Sequence, residues 1–329
     1  MPVSSADPSA FVALGMQSAL GTPQVTAGKT RSAKYLGGTG FQAQLEIVSL
    51  REGGDGLQKG FTYKRLQKVA GQLVVYARPE FAGMLLSLVP GAATWDGASA
   101  PAVHLFHTGH ASFPWSTILA QHPGSAAAHL LSDVRFGGLS IEGAGGDPIK
   151  FTAPFTAITH GASMAAFVPT YHDEAPFIYY NTPTYVIDGT ADSDVLGYKI
   201  DIGYGLEELQ SQAVTLDEIV VQNLDVTLEI RRRFEDATLW KKIAMGAAVS
   251  PTYSVATGSF RAAQVYGAAA ALRALDISLP LLAYKSHDIG ELDPDGKTIV
   301  ETIQADALKG ATHNLIATLK NAHASAYAS

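Results

Sequence analysis

The sequence of 329 residues contains no cysteine, which excludes a disulfide framework and a metal site built on thiolates. Charged residues make up 16%, against about a quarter in a typical soluble domain. The net charge of −7 argues against a protein that grips DNA phosphates with lysine and arginine. No basic segment precedes an apolar one at the N-terminus, and the longest stretch without charge, 97–132, is broken by prolines. We therefore expect a soluble chain with no signal peptide and no membrane partner.

Sequence motifs of enzymes and metal sites are also missing. There is no Gly-x-Ser-x-Gly motif and no Walker A motif, and the glycine-rich run 37–40 precedes a strand pattern rather than a helix. The group most similar to a metal site is His104, His107 and His110, but on a strand His107 would point away from the other two. The sequence therefore predicts no catalytic residue, no metal ion and no cofactor.

Two segments in the second half of the chain alternate strictly between apolar and polar residues. These segments are 195–204 and 224–232, and each is typical of a strand with one buried and one wet face. The following segment 235–246 has acidic residues first, apolar residues at helical spacing and a final glycine, which predicts a helix. The basic run 231–233 would be divided between the two faces of its strand, so we favour ion pairs between subunits for it.

A similar order of strand, strand and helix occurs 155 residues earlier in the chain. At this offset Leu45-Glu46-Ile47 aligns with Ile200-Asp201-Ile202, and Leu73 and Val75 align with Leu228 and Ile230. In the helix patterns, Met84 and Leu88 align with Leu239 and Ile243. The sequence therefore predicts a mainly β fold of duplicated β-sandwich or barrel units, each with a flanking helix.

We divide the chain into four parts on composition and pattern. Residues 1–40 are rich in small residues and are expected to form an N-terminal arm, and 41–165 form the first β unit. Residues 166–312 form the second, duplicated β unit. The alanine-rich tail 313–329 is expected to be a helix or an arm, and both terminal parts are expected to contact neighbouring subunits.

Four short segments carry a resemblance to a known family. They are the turn Gly21-Thr22-Pro23, the segment Ala70-Gly71-Gln72-Leu73, the segment Arg78–Leu86 with Gly91 after it, and the strands and helix of Lys199–Gly246. With them the chain resembles the tail tube (major tail) proteins of long-tailed bacteriophages. The resemblance implies a structural virion protein, not an enzyme, that is assembled in the host cytoplasm.

The resemblance also implies how the protein works and with what. Members of that family form rings, usually hexameric, that stack into the tail tube, a conduit for genome ejection. The partners implied are other copies of the chain, the tape measure, tail terminator and distal tail proteins, and duplex DNA that passes through the lumen without specific binding. The strands of neighbouring subunits would join in one β-barrel.

Strand geometry tests whether such a bore is feasible. A barrel of about eight strands would be only ~16 Å across, whereas about 24 strands give ~48 Å between backbones, enough for a duplex of ~20 Å. Six copies with four strands each would meet this requirement, and so would three copies with more strands each.

The residues predicted to line the lumen are the polar ones of the four long strands. They are Gln42, Gln44, Glu46, Gln72, Lys199, Asp201, Asp225, Thr227 and Glu229. Four carboxylates against one lysine would repel DNA phosphates and let the duplex slide. The alternating apolar residues would face the core under the helices: Leu45, Ile47, Leu73, Ile200, Ile202, Leu228 and Ile230.

A different class of function is a carbohydrate-binding β-sandwich of a virion or cell surface. It would use the aromatic residues Trp95, Trp115, Tyr179 and Tyr180. A lectin would remain a small closed oligomer, whereas a tube protein polymerises along an axis. A hydrolase is a remote third alternative because its motifs are missing.

Overall fold

The protein is mainly β, as predicted from the sequence. The computed structural model describes residues 10–26, 28–50, 59, 61–96, 100–109, 113–122, 128–164, 167–171, 175–180, 183–235, 237–245, 255–290 and 299–327. Within these ranges the chain forms 18 strands and two α-helices. The first ten strands are β1 Phe11–Met16, β2 Thr30–Ala33, β3 Gly40–Leu50, β4 Phe61–Tyr76, β5 Ala92–Asp96, β6 Ala102–His107, β7 Ser116–Gln121, β8 Ala128–Phe136, β9 Gly138–Ala144 and β10 Lys150–Met164. The others are β11 Thr184–Ile187, β12 Thr190–Ala191, β13 Val195–Leu209, β14 Glu218–Arg233, β15 Thr257–Tyr266, β16 Arg273–Ile289, β17 Val300–Ala307 and β18 Ile316–Asn321.

The two predicted helices are present, but their environments differ. Helix α1, Pro79–Leu86, follows β4 and is buried at all eight positions, and a turn of π-helix at Ser87–Gly91 continues it. Its Glu80 forms a buried ion pair with Arg31 at 3.2 Å. Helix α2, Thr238–Met245, follows β14 and has no buried residue. Only α1 is therefore part of the core.

Eight strands form one long antiparallel sheet in the order β3-β4-β10-β9-β13-β14-β17-β16. Directly opposed residues share a face, so a row across seven of these strands can be followed from the pairing. One row is apolar and buried throughout: Val75, Phe151, Ile141, Ile200, Leu228, Ala305 and Tyr284. This face of the sheet covers the core.

The remaining strands complete the core on either side of the long sheet. β8 continues the line of β9 and pairs with β7. β7 in turn pairs with β1, and β1 pairs with β2. β16 also pairs with β15, next to β11 and β12, and with β18, next to β6 and β5. Helix α1 contacts β1, β2, β16 and β18.

The two terminal segments contain strands of this fold. Residues 11–14 of the predicted arm lie in β1 and are wholly buried. The tail, for which a helix or an arm is expected from composition, contains strand β18. Its Tyr327 packs against α1 so closely that a Cβ on Gly83 would lie 2.2 Å from the Tyr327 hydroxyl. The apolar run 11–15 predicts a short first strand, which β1 confirms, whereas the alanine-rich tail gave no local signal for β18, because its burial depends on pairing partners far along the chain.

The hairpins β3–β4 and β13–β14 are paired in the same way. Gln42 opposes Ala70 in the first hairpin, and Asp201 opposes Thr227 in the second. Leu45 opposes Gln67, and Tyr204 opposes Leu224. Both second strands have 16 residues, and each carries a bulge just before this pair, at Arg65 in β4 and at Gln222–Asn223 in β14.

The equivalent residues therefore lie at offsets different from the one aligned in the sequence. Leu209 ends β13 159 residues after Leu50 ends β3, and Glu218 begins β14 157 residues after Phe61 begins β4. The offset of 155 taken from the sequence differs from these two values by four and by two residues. Because side chains alternate with a period of two, such a difference leaves each residue on the correct face of its strand. It nevertheless aligned Leu45 with Ile200 instead of Tyr204.

The equivalence continues beyond the hairpins. Phe155 of β10 opposes Phe136 of β8, and Ala305 of β17 opposes Tyr284 of β16. After these pairs, the register shifts by one residue in both repeats, between β8 and β9 in the first and within β16 in the second. β7 and β8 likewise correspond to β15 and β16, because Ile118 opposes Leu131 and Phe260 opposes Leu279. Strands β5, β6 and β18 have no counterpart in this comparison of the described strands. The boundaries at 41–165 and 166–312 stay a prediction.

Candidate functional surface on the long sheet

The face of the long sheet opposite the core carries continuous rows of polar residues. One row contains Tyr76, Lys150, Glu142, Lys199, Glu229, Gln304 and Ser286, each opposed to the next. The adjacent row contains Thr152, Ser140, Asp201, Thr227 and Asp306. We call this surface the polar face. It places four of the predicted lumen residues, Lys199, Asp201, Thr227 and Glu229, side by side.

The other predicted residues extend the polar face along the strands and towards the sheet edge. Asp225 is exposed and follows Thr227 at the strand period of two. On β4, Gln72 opposes Pro154 of β10, and two residues away Ala70 opposes both Thr156 of β10 and Gln42 of β3. Gln44 and Glu46 continue from Gln42 at the same period. The nine predicted residues thus share one face of the sheet.

The charges on the polar face are largely paired. The closest oxygen and nitrogen atoms are 2.5 Å apart for Glu142 and Lys150, 2.8 Å for Asp201 and Lys199, 2.7 Å for Asp306 and Lys285, and 3.0 Å for Glu46 and Arg65. The hydrogen bond to Asp201 raises the pKa of Lys199 above its usual value, and the charges of Glu142 and Glu229 raise it further. Lys199 is therefore cationic throughout the neutral range.

Beside the four predicted carboxylates and one lysine, the face carries the ion pairs Glu142–Lys150 and Asp306–Lys285, which add no net charge. Arg65 of β4 offsets one predicted carboxylate, Glu46. The face therefore keeps an excess of carboxylates while its charges are largely ion-paired. Such a surface is well hydrated and presents few unpaired cations to a phosphate.

The apolar side of the sheet agrees with the prediction on β4, β13 and β14 but not on β3. Leu73, Ile200, Ile202, Leu228 and Ile230 are buried. In contrast, 48% of Leu45 and 60% of Ile47 is exposed. β3 is the edge strand, and the part of it that carries Leu45 and Ile47 extends beyond the core, so the prediction of burial was wrong for these two residues.

The arginine run also differs from expectation at its central residue. Arg232 is buried and forms ion pairs within the chain, with Asp192 at 2.5 Å and with the wholly buried Glu301. Its neighbours Arg231 and Arg233 are exposed. An interpretation as inter-subunit ion pairs therefore fails for Arg232, because the tertiary fold brings Glu301 of β17 opposite it.

The histidines singled out in the sequence do not converge. His104 is buried and its Nε2 donates to Asn321 Oδ1 and to the carbonyl oxygen of His323. His107 stacks on His313, with ring centroids 3.5 Å apart, and His110 lies outside the described residues. In the described part of the chain, no three histidine or acidic side chains are placed to bind a metal ion.

The four aromatic residues of the carbohydrate-binding alternative have different environments. Tyr179 is buried and donates to the carbonyl oxygen of Val195, and Trp115 is covered by the guanidinium of Arg135 at 3.8 Å. Only Trp95 and Tyr180 are exposed. A flat platform for a sugar ring needs exposed aromatic faces, and two of these four side chains do not offer one.

Comparison with known proteins gave one family match. Residues 8–291 match the family model described as phage tail tube protein. The search of curated proteins found no match. Among the described residues, no helix is both long enough and apolar enough to span a lipid bilayer.

Proposed function

This chain belongs to the phage tail tube protein family, whose members are structural components of the virion tail, and on that premise we propose that its polar face lines the channel of the tube. Copies of the chain join side by side through their long sheets into rings, and the rings stack into the tube. The genome passes along the channel during ejection. At its ends and inside, the tube contacts the tape measure, tail terminator and distal tail proteins.

The observation that carries this proposal is the division of the long sheet into two faces. Eight adjacent strands present one face that is apolar and covers the core, and one face that is polar and open. An isolated sandwich needs a wet outer face too, but its strands seldom continue so far in one sheet. A wall between a protein core and a water-filled channel requires both faces over a long arc.

The charge arrangement of the polar face suits the passage of duplex DNA. Lysines that contact phosphates directly would each form an attraction that must break as the duplex moves. On this face Lys150, Lys199 and Lys285 are held by carboxylates, so their charge is already balanced. The duplex would then move through a hydrated channel, with counterions between phosphate and protein.

The experiment that tests this function is electron microscopy of the purified full-length protein. We expect tubes of uniform width with a central channel, and averaged images in which Asp201, Thr227 and Glu229 face the axis. Particles that stay as compact monomers or small closed oligomers under all assembly conditions would contradict the proposal. Tubes whose long sheet faces outwards would contradict the assignment of the lumen.

A further inference from the structure

We propose that β16 of one copy pairs with β3 of the next copy, and that three copies joined in this way close the ring. The inference rests on the proposed function, because it describes how the tube subunits join. It assigns a partner to two strand edges that pair with no other described strand. The register follows from a junction that already exists inside the chain.

That internal junction is the pairing of β9 with β13. β9 belongs to the first repeat and β13 belongs to the second. They pair antiparallel over seven residues, with Ile141 opposite Ile200 and Ser140 opposite Asp201. The long sheet passes from one repeat to the other at this point without interruption.

In the second repeat, the last part of β16 is equivalent to β9, but the edge that β9 uses to pair with β13 is open there. Phe151 opposes Ile141 between β10 and β9, and the equivalent Glu301 opposes Ile289 between β17 and β16. On its other side, β16 pairs with β15 only as far as Ala283. The N–H of Tyr284 still donates to the carbonyl oxygen of Ala256, and beyond it the edge of residues 285–289 has no partner strand among the described residues.

In the first repeat, the edge strand β3 is equivalent to β13 but has no strand on the edge that β13 uses to pair with β9. β3 pairs with β4, and the described residues include no second neighbour. Leu45 is 48% exposed, whereas its equivalent Tyr204 is only 8% exposed. Tyr204 is covered by the first repeat, because its hydroxyl donates to the carbonyl oxygen of Val89 and its ring packs edge-on against Phe113 at 4.9 Å.

The sequence of β3 is unprotected against edge pairing. Its 11 residues include no proline, lysine or arginine, which are the residues that commonly block the addition of a further strand. A long, apolar, open edge is a site for pairing with another chain. A second copy of this chain offers the matching edge of β16.

Equivalence fixes the register of the proposed junction. Transferring the β9–β13 pairs to β16 and β3 places Ile289 opposite Phe41, Asp288 opposite Gln42, His287 opposite Ala43, and Ser286 opposite Gln44. Ile289 and Phe41 would continue the apolar face, and both are only partly buried in the single chain. Asp288 and Gln42 would continue the polar face.

The number of strands then decides the number of copies. Each copy contributes the eight strands from β3 to β16, so three copies give a sheet of 24 strands, with ~48 Å between opposite backbones. Six copies would give ~96 Å, far wider than a duplex of ~20 Å requires. Three copies of two repeats replace the hexameric ring expected from the family resemblance.

Cysteine cross-linking tests the pairing, since the chain has no cysteine of its own. In assembled tubes of a variant that carries Gln42→Cys and Asp288→Cys, mild oxidation should produce covalent trimers as the largest species, and reductant should return the monomer. A second pair in the same register, Gln44→Cys with Ser286→Cys, should behave alike. Ser140→Cys with Asp201→Cys is the internal control and should form a bond without linking chains.

The register control combines Gln44→Cys with Asp288→Cys, two residues out of step, and should cross-link at least fivefold less. The pairing is overturned if tubes form but neither in-register pair cross-links more than this control. A ladder that continues to six chains overturns the ring of three. Absence of tubes from the unaltered protein would instead count against the proposed function, so the two failures can be told apart.

Discussion

The two repeats satisfy the same buried positions with different side chains. In the first repeat, Val75 of β4 opposes Phe151 of β10, and both are wholly buried. In the second repeat, the equivalent pair is Arg232 of β14 and Glu301 of β17, which form an ion pair in the core. Removing one partner of a buried ion pair leaves a desolvated charge, which costs much more than the pair contributes.

Substitution Arg232→Met should therefore lower the free energy of unfolding by about 3–5 kcal/mol, because Glu301 would keep only its contact with His287 and Asp192 would lose the same guanidinium. The adjacent exposed residue gives the matched control, since Arg231→Met should change stability by no more than about 0.5 kcal/mol. Urea unfolding of the unassembled chain measures both. Equal effects of the two substitutions would show that the buried ion pair is not important for stability.

His104 should make stability depend on pH. Burial lowers the pKa of His104 below its usual value, despite hydrogen bonds to the His323 backbone and Asn321 that raise it. The unfolded chain binds a proton near pH 6.5, while the folded chain keeps His104 neutral to lower pH. Acidification below about pH 6.5 should then reduce stability, by at most about 1.4 kcal/mol per pH unit for one proton.

Substitution His104→Phe should make this decline with falling pH shallower, as measured by thermal unfolding between pH 7.5 and 5. His129 should maintain part of the decline, because burial and the nearby charges of His122 and His160 lower its pKa too. An unchanged decline in His104→Phe would contradict the assignment.

Among the elements, β3 and β13 pair with their hairpin partners in the same way but differ in how far their other edge is covered. The strands have the same register with their hairpin partners, but only β13 is covered on both edges. Leu45 and Ile47 of β3 are consequently exposed, although they occupy the apolar side. Their hydrophobic surface is available for burial on assembly, which would stabilise the tube at no cost to the single chain.

Substitution of Leu45 and Ile47 by lysine together should leave the stability of the unassembled chain within about 0.5 kcal/mol and prevent tube growth. The substitution Tyr204→Lys at the position equivalent to Leu45 should instead destabilise the chain by about 3 kcal/mol or more, because it buries a charge in the core. Unfolding curves and electron microscopy give the two readouts. Normal tubes from the double-lysine variant would refute a role of this edge in assembly.

At the scale of the whole molecule, the polar face combines residues from both repeats in one wall. Asp225 and Glu229 of the second repeat lie in the same sheet as Gln42 and Gln72 of the first. A wall with an excess of carboxylates and few unpaired cations lets DNA slide, and a wall of unpaired cations should hold it.

Changing Asp201, Asp225 and Glu229 together to lysine should therefore allow tube assembly but slow DNA release from particles, most strongly at low salt. The control changes the same residues to the neutral amides, Asp201→Asn, Asp225→Asn and Glu229→Gln, and should release DNA at nearly the normal rate. Release can be followed by the fluorescence of a DNA-binding dye over a range of salt concentrations. A normal rate in the lysine variant at low salt would disprove the electrostatic account of the channel.

The sequence by itself determined which side of each long strand is apolar. Alternation with a period of two is a local property of the extended chain, so Ile200 and Leu228 are buried and Asp201 and Thr227 share the opposite face, as predicted. The helices were found for the same reason, since their spacing and end signals are local.

Only the tertiary structure decided which strands become neighbours. The pairing of β9 with β13 joins segments more than 50 residues apart, and it explains why Tyr204 is buried while Leu45 is exposed. The same long-range pairing placed Glu301 opposite Arg232 and brought Lys150 and Lys285 onto the polar face. These contacts depend on chain topology, and a local pattern of apolar and polar residues carries no information on the partner that a strand edge will meet.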